Sequence, residues 1–190
     1  MKKGLLCLVG AITCLPLFSQ LLSWTPDFPQ ESTSSFTITV DASKGNKGLD
    51  FYTPATDVYV HTGVITNKST GPSDWRYVKF NQNFNTPNAA LNATYVGSFP
   101  VQKWQFTITG SIRAYYGITD PTETIQKISI LFRNGAGSRV QRNTDGSDMY
   151  IPISDGSLKV KFTVPFPQPT YTATTEPISK SFGDNIALTA

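Results

Sequence analysis

The sequence predicts an all-β chain, an antiparallel β-sandwich of immunoglobulin-like type, carried behind an N-terminal signal peptide. Three observations point to the sandwich. Apolar residues recur at every second position in short runs, the period of a strand with one buried face. Clusters of Gly, Asn, Asp and Pro separate the runs and supply turns. No stretch keeps helical spacing over three turns.

Lys2 and Lys3 open the chain with positive charge, and an apolar stretch over residues 4–17 follows. The small residue Ser19 precedes Gln20 at a suitable cleavage point. This order of charge, apolar run and small residue is that of a secretory leader over residues 1–19. The run is short of the roughly 20 residues a membrane span needs, so the mature chain is expected to have no span. Both cysteines, Cys7 and Cys14, fall inside the leader, which leaves a cysteine-free mature domain with neither disulfide nor thiolate metal site. A lipid on Cys14 is the alternative, although Ala11-Ile12-Thr13 fits that processing poorly.

The expected strands follow in order. Phe36-Thr37-Ile38-Thr39-Val40 puts Phe36, Ile38 and Val40 on one face. Residues 58–64 and 75–80 are the second and third strands, and Trp104-Gln105-Phe106-Thr107-Ile108 alternates cleanly. Ile128-Ser129-Ile130-Leu131-Phe132 is almost wholly apolar, as a strand buried on both faces would be. Residues 148–153 and 158–164 complete the set, and residues 110–119 hold one helical turn or a packed loop. Ile38, Val40, Val58, Val60, Phe106, Ile108, Ile130, Phe132, Ile151 and Val160 form the expected core. The domain spans residues 20–166. Residues 167–190 begin with a Pro-rich linker and continue into the expected start of a second, truncated β-domain.

Chemistry-bearing residues are sparse. Charged residues make 15% of the chain, the net charge is +3, and no basic stripe exists to hold nucleic acid. Glu31, Glu123 and Glu176 are the only glutamates, and the aspartates mostly neighbour Gly, Pro or Ser, where turns and caps use them. His61 is the single histidine, no Gly-x-Ser-x-Gly elbow accompanies it, and a half-buried strand position is the simpler reading. No catalytic residue, cofactor or metal is therefore expected. Asn143-Thr144-Asp145-Gly146-Ser147-Asp148 has the alternating oxygens of a calcium loop, but it lacks the later glutamate, and a turn capped by Asp145 accounts for it.

Aromatic residues are the informative set. Trp75 stands where the polar loop 67–74 enters a strand, either as a platform for a sugar ring or as a core residue. Tyr77 would share its strand face, with Asn67, Lys68 and Asp74 reaching sugar hydroxyls. Trp104 heads an alternating strand and reads as core. Tyr115 and Tyr116 read as a packed corner, and Trp24 as edge packing.

Several runs together resemble the N-terminal domain of Bacteroidetes α-amylase-family glycoside hydrolases. They are Trp24-Thr25-Pro26, residues 38–49, Asp57-Val58-Tyr59-Val60-His61-Thr62-Gly63-Val64-Ile65-Thr66, Ser73-Asp74-Trp75, Phe132-Arg133-Asn134-Gly135-Ala136-Gly137-Ser138 and Asp148-Met149-Tyr150-Ile151-Pro152. The resemblance covers most of residues 24–164. It implies an exported amylase-type parent, found in the periplasm, at the cell surface or in the medium, with a downstream catalytic barrel. This chain carries no such barrel and is expected not to be an enzyme. A more distant similarity to starch-binding modules of families 25 and 26 implies α-glucan as the ligand, with Trp75 as the best match to a stacking position. A structural spacer or an adhesin-like surface module with no ligand of its own is the competing reading.

N-terminal sequencing of the exported protein should begin at Gln20. A chain beginning at Met1 would eliminate the leader, and a lipid on Cys14 would replace it with an anchored form.

Overall fold

The computed structural model describes residues 20–79, 84–157 and 159. The predicted leader, the strand 158–164 apart from Lys159, the core position Val160 and the linker lie outside the described residues. Within them the chain is almost entirely β. Strands β1 (Leu22–Thr25), β2 (Ser35–Asp41), β3 (Val58–Thr66), β4 (Thr94–Tyr95), β5 (Lys103–Thr109), β6 (Ile125–Asn134), β7 (Val140–Gln141) and β8 (Met149–Pro152) are accompanied by a single 3-10 turn (Ala89–Leu91) and one short α-helix, α1 (Ile112–Tyr116). No helix among the described residues is long and apolar enough to cross a membrane.

The strands form two antiparallel sheets. The first has the order β1-β2-β5-β4. In the second, β6 is central, with β3 on one side and β7 and β8 in succession on the other. Alternation decides which side chains meet. Phe36, Ile38 and Val40 on β2 lie opposite Ile108, Phe106 and Trp104 on β5, and all six are buried. From the second sheet Val58, Val60 and Val64 join Ile128, Ile130, Phe132, Met149 and Ile151 in the same core. Every expected core residue within the described range is buried there.

Local chemistry sets the turns. The Ser111 hydroxyl accepts from the Ala114 amide and caps α1, while Gly117 ends it in the left-handed region at φ 73°. Tyr116 then enters the core, and its hydroxyl and the Thr62 hydroxyl lie 2.7 Å apart, both buried. The expected corner at Tyr115 and Tyr116 therefore stands.

One predicted strand does not form. Residues 75–79 run beside β3, bonding through the Arg76 amide and carbonyl to Val64 and through the Lys79 amide to Thr62. Only a single bridge at Arg76 is regular. Tyr77 sits in the left-handed region at φ 51°, which breaks the alternation a strand requires. In the other direction, β1, β4 and β7 were not expected. Runs of two to four residues are too short to display a period of two.

Phe36 is fully buried at the centre of β2. Phe36→Ala should therefore destabilise the domain by about 3–5 kcal/mol, read as a lower urea midpoint. An unchanged midpoint would contradict the core assigned here.

Candidate functional site

The outward face of the second sheet carries the aromatic site. Odd-numbered residues of β3 and β6 point away from the main core, and across the sheet Gly63 pairs with Ser129 and Ser129 with Tyr150. The neighbouring row pairs His61 with Leu131. Trp75 stacks on His61 at 5.5 Å between centroids and 26° between planes, and meets Tyr150 edge-on at 6.5 Å. β3 and β8 flank β6, so they stand about 10 Å apart at the usual strand spacing. Tyr150 helps to span that distance, because its hydroxyl donates to the Pro72 carbonyl at 2.8 Å. Ser129 and Leu131 on β6 are 0% and 3% exposed, although they face away from the main core.

The connection after β3 thus crosses this face as a strap. Gly63 permits the close approach: a Cβ there would sit 3.0 Å from the Arg76 carbonyl oxygen and 3.2 Å from Val78. Further along, Phe84 meets His61 edge-on at 5.1 Å. The Arg133 guanidinium lies 5.1 Å from the Phe84 ring and donates to the Thr86 carbonyl at 2.9 Å. Burial and the nearby Arg133 charge hold the His61 pKa below its ordinary value, so the ring stacked on Trp75 is neutral at pH 7.

Glu123 fastens the near end of the strap. Its carboxylate, buried in the turn before β6, accepts from Thr66 Oγ1 at 2.7 Å, Arg76 Nε at 2.6 Å and Tyr77 Oη at 2.7 Å. Burial alone would raise its pKa. The bonds from Thr66, Tyr77 and Arg76 outweigh burial and hold it at about 2.

The five predicted contact residues are not brought together. Trp75 lies partly buried on the outer layer, its Nε1 3.4 Å from the Tyr150 hydroxyl. Tyr77 instead packs against the main core and donates to Glu123. The expectation that the two share a strand face is corrected, because the positive φ at Tyr77 turns its side chain away from that of Trp75. Asn67 bridges to the β6 entry, donating to the Thr122 carbonyl and accepting from the Thr124 amide. Lys68 pairs with Asp120, and Asp74 accepts from the Thr70 amide inside its own loop.

The other candidates settle plainly. Trp104 is fully buried and donates to the Ala55 carbonyl at 2.8 Å. Trp24 lies on the edge strand β1, partly buried, and donates to the Asp27 carbonyl. Asp145 accepts from the Ser147 amide and hydroxyl, closing its turn, and Asp148 pairs with Arg142. Sequence reasoning did not place Tyr150 beside Trp75, nor Phe84 beside His61. Tyr150 occupies an outward position of its strand, but nothing local reveals that the strap brings Trp75 onto it. No protein-family model matches the chain, and no curated protein matches it either.

The Glu123 pKa, lowered in the fold, carries a sign. Its stabilisation is complete above the ordinary glutamate range and fades as pH falls from about 4.5 toward about 2. Urea midpoints at pH 6, 4 and 3 should fall more steeply for the wild type than for Glu123→Gln. Parallel curves would show that the carboxylate does not hold the strap.

Proposed function

We propose that this chain is a non-catalytic accessory module of immunoglobulin-like sandwich type, borne by an exported amylase-type protein, and that it contacts α-glucan through Trp75. The downstream catalytic domain of the parent is its other partner. One observation carries the reading: the Trp75 indole is only partly buried, packed beside the outward face of the second sheet and steadied by His61 and Tyr150. A sugar ring offers a face of C–H groups, and a rigid indole is a flat apolar counterpart that loses little entropy on binding. Polar groups stand close by in the Tyr150 hydroxyl, in Lys127, whose ammonium lies 5.8 Å from the Tyr150 ring, and in the Arg142–Asp148 pair beyond His61. The resemblance to amylase N-terminal domains supplies the ligand class. A single stacking contact contributes about 1 kcal/mol, which places binding in the roughly micromolar to millimolar range.

The spacer reading is favoured by a different observation. Asn67, Lys68, Asp74 and Tyr77 already spend their polar groups on partners within the protein. Sugar hydroxyls would have to be met from the Tyr150 side instead.

Affinity electrophoresis in amylose separates the two readings. The wild type should be retarded, Trp75→Phe less so, and Trp75→Ala not at all. Because Trp75 also packs on His61 and Tyr150, the thermal midpoint of each variant must be measured alongside. A wild type that is not retarded by amylose or glycogen, or a folded Trp75→Ala variant that still is, would leave the spacer reading in place.

A further inference from the structure

A cleft of about 960 Å³ opens at the end of the sandwich where α1 and β6 begin. That is the upper end of the range of ligand pockets, roughly 300–1,000 Å³. Four stretches of chain wall it: the connection between β1 and β2, the first turn of α1, the entry to β6 and the exit from β8.

The walls are bonded to one another. The Arg113 amide donates to the Glu31 carbonyl at 3.0 Å and the Ile112 amide to the Thr33 carbonyl at 3.3 Å. The Ile153 amide donates to the Gln126 carbonyl at 3.0 Å and the Ser154 amide to the Pro29 carbonyl at 2.7 Å. The Glu31 carboxylate accepts from the Ile125 amide and pairs with the Arg113 guanidinium at 2.7 Å. That guanidinium also donates to the Glu123 and Asp120 carbonyls. The fold therefore shapes the cleft before any occupant arrives, and a pre-formed site loses little entropy on binding.

What the walls leave free defines the occupant. Gln30, Ser32, Thr124 and Gln126 turn two amides and two hydroxyls to the cleft, and these side chains take no bond among the described residues. Each such group both donates and accepts, as a sugar hydroxyl does. Ile125 and Ile153 add apolar surface. The charges cancel in pairs, Glu31 with Arg113 and Asp155 with Lys159 at 3.4 Å, so the cleft favours no ion of either sign. An extended peptide added as a strand needs open main-chain groups, and those at Arg113, Ile125, Ile153 and Ser154 are already spent.

We propose that this cleft binds a short neutral oligosaccharide through Gln30, Ser32, Thr124 and Gln126, with Ile125 and Ile153 against the C–H face of a ring. The proposal does not rest on the α-glucan reading of Trp75, and the two sites share no residue. Gln126 stands three residues before Ser129 on β6, about 10 Å along the strand. The two sites also differ in kind. Directed hydrogen bonds distinguish sugars by the orientation of their hydroxyls, whereas a lone stacking ring does not.

The test is a titration of the full chain with maltotriose, cellotriose and xylotriose, followed by backbone amide chemical shifts. One of the three should move the amides of residues 30–32 and 124–126 and bind at least fivefold more tightly than the other two. Gln30→Ala and Gln126→Ala should each weaken that binding about tenfold, with the thermal midpoint unchanged because neither side chain bonds within the fold. The proposal fails if none of the three sugars moves these amides, or if both variants bind as the wild type does. Shifts confined to the surroundings of Trp75 and Tyr150 would support the stacking site and overturn this one. Tighter binding of a galacturonate trimer would overturn the neutral class of ligand.

Discussion

A strand that is buried on both faces must be covered twice, and β6 imposes that condition here. Its even residues Ile128, Ile130 and Phe132 close the core between the sheets, while Ser129, Leu131 and Arg133 on the other side are just as inaccessible. The first sheet can cover only one face. The connection after β3 supplies the second cover, and its features serve that end. Gly63 admits it, Trp75 stacks on His61 and meets Tyr150, and Arg133 reaches through to the Thr86 carbonyl. An arginine 3% exposed would be costly without partners, and carbonyl oxygens with two aromatic rings provide them.

Glu123 is the polar counterpart of that cover. A buried carboxylate is expensive unless its lone pairs are occupied, and here three donors from β3 and the strap occupy them. Such a group specifies as well as stabilises. A strap displaced by one residue would strand the charge, so the carboxylate selects a single seating. The same demand accounts for the left-handed backbone at Tyr77, which otherwise costs of the order of 1 kcal/mol. Its hydroxyl can reach Glu123 while its neighbour Trp75 goes the other way. Here tertiary bonding overrides the preference of a Trp-Arg-Tyr-Val run for a regular strand.

The legible and illegible parts of the fold divide along the same line. Phe36, Ile38 and Val40 announce their strand because a two-residue period is local, and the almost wholly apolar run at 128–132 announced a strand covered on both sides. What it could not announce was the cover. Whether residues 75–79 continue a sheet or roof one depends on contacts with Glu123, some 46 positions along the chain, and Tyr150, 75 along. Glu123 itself, between Thr122 and Thr124, looks like any turn carboxylate. The candidate site suffered accordingly. Trp75 could be singled out from its setting, whereas grouping it with Tyr77, Asn67 and Lys68 assumed a strand that the positive φ at Tyr77 breaks.

The two readings of Trp75 are less opposed than they first look. An indole has two faces and needs only one to stack on His61. A residue at the boundary between a packed layer and water, pinned through Tyr150 and His61, is held more rigidly than an aromatic on a free loop. Rigidity lowers the entropy lost when a ligand lies against it. The contact that makes Trp75 structural would thus also make it a better platform, provided the outer face stays open. The polar groups cannot share work in this way. A carboxylate or amide already saturated by backbone donors and acceptors has little left to offer a hydroxyl. Any ligand held here would therefore be recognised mainly by the shape and apolar face of one ring, with few directed hydrogen bonds. That is the chemistry of a weak, repetitive polymer ligand, and it is poorly matched to a small molecule that must be told apart from its isomers.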